Sequence, residues 1–216
     1  TYGDVVEDLD DNVGRIMRAL DELKIADDTI VIVTSDNGGD QGGSVGDLRG
    51  RKGETFEGGM RVPCFVIWPG RIKAGAVSDA MAMNIDLMPT LLAALGIPLP
   101  KDRTIDGRDM AGLLAGGPSP HDYLYYVTAF SGEFQAVRDT NFKYRALLSE
   151  RWPLAPTGTP LPHGARPALY HIDGDNESHD VSAKHPDEAK RLSERLAAFR
   201  ADAEANPRGW TPQETK

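Results

Sequence analysis

From Tyr2 to Leu23, apolar residues recur at Val5, Val6, Leu9, Val13, Ile16, Met17, Leu20 and Leu23, with charged positions between them. That spacing predicts a helix with one apolar face. The pattern begins at the first residues with no capping residue or linker ahead of it, which is the abruptness expected of a truncated start. After a polar break at Ala26–Thr29, Ile30–Val33 is a β-branched run suited to a strand buried on both faces. Cys64–Trp68 reads as a second buried strand, and Asp86–Leu95 as a helix opened by Asp86 and stopped by Gly96 and Pro98.

Beyond Tyr123 the period changes. Tyr123–Phe130, Phe134–Arg138 and Phe142–Leu147 read as antiparallel strands, the last two joined by a turn at Asp139–Asn141. Ser149–Pro167, with five prolines, reads as a loop, and Ala168–Ile172 as a further strand. Pro186–Arg200 places Ala189, Leu192, Leu196 and Phe199 on one helical stripe, expected to dock on the small sheet. The predicted fold class is α/β. Residues 1–120 would form the end of an α/β domain, 121–205 a small antiparallel sheet with a helix, and 206–216 a polar tail.

With 216 residues, 40% apolar and 26% charged, the chain can bury a substantial core. No apolar run approaches the ~20 residues that span a membrane. No signal segment stands at Thr1, but a truncated start would remove one, so the compartment stays open. A net charge of -9 argues against a nucleic-acid surface. Local sign opposes it: Arg49, Arg51, Lys52 and Arg61 crowd one short segment, as suits an anion held in a cleft. A single cysteine, Cys64, rules out an internal disulfide framework.

The chemistry concentrates between Thr34 and Pro63. T-S-D-N-G at Thr34–Gly38 offers two hard oxygen donors, Asp36 and Asn37, just past a strand's carboxyl end, where open α/β sheets place ligands. Alone, the pair reads more often as a turn after a strand. As ligands they favour calcium, or magnesium, over zinc, and two residues cannot complete a sphere of about six to eight oxygens. Lys52 follows in G-R-K-G-E-T-F-E-G-G-M-R-V-P at Gly50–Pro63. Most lysines are solvated, but flanking Gly50 and Gly53 let this one's backbone approach a ligand.

The five histidines show no metal-binding spacing. Asp173, Asp175 and Glu177 imitate an EF loop but lack its glycine and final glutamate, which leaves a polar turn. Gly46–Gly53 fails the spacing of a nucleotide loop.

T-S-D-N-G followed by G-x-K-G-x-x-x-E-G-G-x-R-x-P closely resembles the distal half of the formylglycine-dependent, arylsulfatase-like sulfatases of the alkaline phosphatase superfamily. The likeness continues through Phe65–Gly70, Asp86–Leu92, Asp106–Asp109 and Ala168–Glu177. It implies the C-terminal part of an alkaline-phosphatase-like α/β domain followed by a small antiparallel sheet with a packed helix. It also implies a sulfuric ester hydrolase in which Asp36 and Asn37 bind a divalent metal and Lys52 contacts the sulfate and its bridging oxygen. Glu57 and Arg61 would fix the loop.

The nucleophile implied by the resemblance is a formylglycine made from Cys-x-Pro-x-Arg, and Cys64 lacks that context. The chain alone is therefore expected to be inactive, with the nucleophile upstream and either the enzyme's N-terminal half or self-association completing the sheet. Metal plus lysine would also serve a phosphate or phosphonate ester hydrolase, and a non-catalytic anion-binding fragment is a third reading.

Overall fold

The computed structural model describes residues 1–40, 42–128, 132–146, 167–206 and 208. The proline-rich loop expected before Pro167, and the tail beyond Arg208, lie outside the described residues. So do the far ends of the strands expected at Tyr123–Phe130 and Phe142–Leu147.

Helix α1 spans Tyr2–Glu22 as its periodicity requires, and, against the expectation of an uncapped start, Thr1 stands at its N-cap. Its apolar face is uncovered: Val5 is 65% and Leu9 60% exposed. Strands β1 (Val31–Thr34) and β2 (Cys64–Ile67) form an antiparallel pair in register Val31↔Ile67 to Thr34↔Cys64. Expected to be buried on both faces, they are not, and Phe65 is 67% exposed. A β-branched run reports fitness for a pleated backbone, whereas its cover comes from other elements, and no third strand joins this pair among the described residues.

Helix α2 is a single turn at Glu57–Met60, followed along the chain by α3 (Leu87–Ala94) and another single turn, α4 (Ala111–Leu114). The two single turns escape periodicity analysis because four residues cannot show a period of 3.6. Asp86 is the N-cap of α3 as expected, and Gly96 past its end takes a positive φ of 67°.

A four-stranded antiparallel meander follows, β3 (Leu124–Val127), β4 (Phe134–Arg138), β5 (Phe142–Arg145) and β6 (Ala168–His171), adjacent in chain order. One face packs on α5 (Pro186–Ala205): Val137, Leu169, Leu192 and Leu196 are fully buried there, and Tyr125 stacks on Phe199 at 3.7 Å. The opposite face carries Tyr126, Arg138, Lys143 and Arg145, all buried. Where β3 pairs with β4 the register passes from Tyr126↔Ala136 to Val127↔Phe134, so Gln135 bulges. Its amide oxygen accepts the Thr55 hydroxyl at 3.2 Å, tying the sheet to the Gly50–Pro63 segment. Leu196→Ala should destabilise the chain by about 2–5 kcal/mol, the usual result of emptying a closed core site, read from its urea midpoint.

Candidate functional site

β1 ends at Thr34, whose hydroxyl donates to the Pro63 carbonyl at 3.0 Å, holding the start of the T-S-D-N-G turn against the end of the basic segment. Within the turn Ser35 Oγ donates to the Asn37 carbonyl at 3.0 Å, and Asn84 Nδ2 donates to the Ser35 carbonyl at 2.9 Å. The two segments are then knitted by backbone. Gly38 N–H donates to Gly59 O at 2.9 Å, Lys52 N–H to Gly39 O at 3.1 Å, and Gly58 N–H to Arg49 O at 2.7 Å.

Glycine is required at this crossing for space. A Cβ on Gly38 would lie 1.9 Å from Gly58 O, and one on Gly59 would lie 2.2 Å from Glu54 O. The E-G-G element is thus a backbone-on-backbone contact.

These contacts set the backbone of Lys52 beside the turn that bears Asp36 and Asn37, with the Lys52 side chain exposed. Asp36 is exposed, and its carboxylate accepts the Asn37 amide. That hydrogen bond, and further the Lys52 ammonium, hold its carboxyl below the usual range. Asn37 Oδ1 is buried and has no hydrogen-bond partner among the described residues. A buried acceptor left unpaired is costly, and a cation is a partner that would satisfy it. The donor set, one carboxylate and one amide oxygen, suits a hard divalent ion, and no group of three or more His, Cys, Asp or Glu gathers here or elsewhere among the described residues.

Glu57 and Arg61 differ. The Arg61 side chain is exposed while its N–H donates to Glu57 O at 2.6 Å. Glu57 is buried, accepting from Tyr126 Oη at 2.8 Å, Lys143 Nζ at 2.8 Å and Arg138 at 2.7 Å. Burial pushes its carboxyl up, but Lys143 and Arg138 outweigh that and hold it at about 2. No local pattern marks Lys143, Arg138 or Glu177 for such a role, and only the E-G-G-x-R-x-P resemblance points to Glu57.

His121, one of the histidines without metal-binding spacing, is buried with Nε2 2.8 Å from Asp86 Oδ1. Asp86 also accepts the N–H groups of Met83 at 2.7 Å and Arg108 at 2.8 Å, so the pair joins three loops. Asp173 and Asp175 lie in a turn, as expected of the rejected EF-like run, with Asp175 accepting from exposed His179.

The sulfatase family model matches residues 1–97, and the model for the C-terminal part of N-sulphoglucosamine sulphohydrolase matches residues 51–155. Human steryl-sulfatase is 43% identical over 137 residues, covering 58% of this chain and 24% of that protein. The dog N-acetylgalactosamine-6-sulfatase is also 43% identical, over 131 residues, 58% of this chain and 25% of that protein. A solved Bacteroides thetaiotaomicron chain, described under metabolism of multiple glycosaminoglycans, superposes with a TM-score of 0.81 at 30% identity, covering 92% of this chain and 44% of its own. The chain therefore spans about a quarter of the curated relatives it matches and under half of that solved chain. Its α/β architecture, with the four-stranded sheet and packed terminal helix, is that of the alkaline-phosphatase-like sulfatase neighbours. By sequence match and by fold, the chain belongs to the sulfatase family.

Proposed function

We propose that this chain supplies part of the site of a sulfuric ester hydrolase, with Asp36 and Asn37 as ligands of a divalent cation and Lys52 as the cation that contacts the sulfate. The observation that carries the reading is the buried Asn37 Oδ1, without a hydrogen-bond partner among the described residues, beside the Asp36 carboxylate, with the Lys52 N–H bonded to Gly39 just past the same turn. Calcium suits these oxygens best, and magnesium is the competing ion. When bound, the ion polarises sulfate oxygens as a Lewis acid. Lys52 stabilises negative charge that builds on those oxygens and on the leaving oxygen, more in the transition state than in the substrate.

The nucleophile of the proposed reaction is a formylglycine from a Cys-x-Pro-x-Arg segment, which this sequence does not contain. The chain by itself should therefore leave aryl sulfates intact, and a polypeptide joining it to such a segment, matured to formylglycine, should cleave them. Aryl sulfate turnover by the chain alone, lost on Lys52→Ala, would refute the assignment. Faster cleavage of a phosphate ester than of the matched sulfate would favour the phosphohydrolase reading instead.

Steryl-sulfatase and N-acetylgalactosamine-6-sulfatase carry different substrate names at the same 43% identity to this chain. That supports a role in handling the sulfate common to both, with the alcohol selected elsewhere. Residues 1–120 and 121–205 are the proposed structural units. The uncovered face of α1 is proposed to meet the rest of the enzyme or a second copy. Sedimentation of the chain alone should accordingly show concentration-dependent self-association, reduced in a Val5→Glu, Leu9→Glu variant; a monomer at all concentrations would count against it.

A further inference from the structure

The Lys52 loop is held from below by the small sheet. Glu57 is the first residue of α2, and its carboxylate is gripped by Arg138 of β4 and Lys143 of β5. Its own N–H donates to Glu177 Oε2 at 2.6 Å, and Lys143 Nζ lies 3.0 Å from Glu177 Oε1 as an ion pair, without the geometry of a hydrogen bond. Two carboxylates and two cations thus meet away from water, with Lys143 0% and Glu177 1% exposed.

Glu177 reaches this position through an unfavourable backbone: it and Asn176 both take positive φ, 54° and 49°. Side-chain-bearing residues persist in that region only where surrounding contacts hold them. Directly after Glu57 come Gly58 and Gly59, which carry the backbone bonds to Arg49 and Gly38, while Gly39 accepts from Lys52. The contacts therefore run without a gap from the small sheet to the proposed site.

We propose that Lys143 and Glu177, acting through Glu57, are positioning residues that set where Lys52 stands relative to Asp36 and Asn37. This rests on the reading of Lys52 as the sulfate contact. Neither residue touches substrate. Lys143 bridges the two carboxylates, with Arg138 supplying the second positive charge, and Glu177 fixes the first N–H of the turn that bears the glycine crossing. Loss of either lets that turn shift, and the loop moves with it.

The first test is amide hydrogen exchange on this chain with Lys143→Met and Glu177→Gln. Exchange at Gly38, Lys52 and Gly58 should rise by roughly tenfold or more, while Leu192 and Leu196 in α5 keep their protection. Unchanged loop amides, or an equal rise in α5, would overturn the proposal. Where Lys143→Met fails to fold, Glu177→Gln and the milder Tyr126→Phe, which removes one hydrogen bond to Glu57, decide it by the same readout.

The second test uses a matured sulfatase polypeptide containing this chain. If Lys143 acts through Lys52, the double variant Lys143→Met, Lys52→Ala should turn over no more slowly than Lys52→Ala alone. Losses that multiply would overturn the proposal. A Lys52→Ala variant with full activity would instead refute the functional reading, leaving the exchange experiment to judge the positioning.

Discussion

Lys52→Ala, in a matured sulfatase polypeptide that contains this chain, is expected to lower kcat by roughly 10²–10³-fold while leaving divalent-cation binding largely intact. The magnitude is that of removing one fixed donor aimed at developing oxyanion charge. The separation from metal binding follows from geometry. Lys52 is joined to the turn through its backbone N–H, which the substitution keeps, so Asp36 and Asn37 stay where they are. Asp36→Ala should behave oppositely at the first step, with calcium affinity falling and turnover falling along with it. Titration calorimetry on both variants checks this: calcium lost from the Lys52 variant and kept by the Asp36 variant would reverse the two roles.

Glu57→Gln should destabilise the chain by about 3–5 kcal/mol at neutral pH, because it leaves Lys143 and Arg138 buried with one carboxylate fewer. The pH dependence carries the same information. Glu57 has its carboxyl depressed from an ordinary 4.5 to about 2 in the folded chain. Between those values the unfolded state binds more protons, so stability rises with pH across the interval. The contribution is complete above the unfolded value, on the order of 3 kcal/mol, and is lost as pH falls through the folded one. Urea midpoints measured from pH 6 down to pH 2 should fall more steeply for the natural chain than for Glu57→Gln. Parallel curves would mean that the Glu57 carboxylate contributes nothing to folding.

Much of the architecture was legible because it is written in periods. The amphipathic α1, the strands after Tyr123 and the Leu192–Leu196 stripe of α5 each repeat an apolar residue at the spacing of one face, and each forms near its predicted bounds. Asp36, Asn37 and Lys52 were singled out by residue chemistry and by the glycines that frame them. A glycine pair in a polar segment marks where something must come close, and here that something is another stretch of backbone.

What the sequence by itself determined is therefore local: which segments coil, which extend, where α3 starts and stops, and which side chains have the chemistry for a cation and an anion. The tertiary structure alone decided which faces are covered. β1 and β2 have the composition of buried strands, yet β1 is half-buried and β2 largely exposed, because burial belongs to neighbours and not to a strand's own residues. Lys143 and Glu177 have the composition of surface positions and are among the most buried residues of the chain. A charge can leave water only where opposite charge and hydrogen bonds replace the water. Lys143 meets the carboxylates of Glu57 and Glu177, Glu177 takes the Glu57 N–H, and Glu57 in turn is held by Arg138 and Tyr126, on segments that no local pattern brings together.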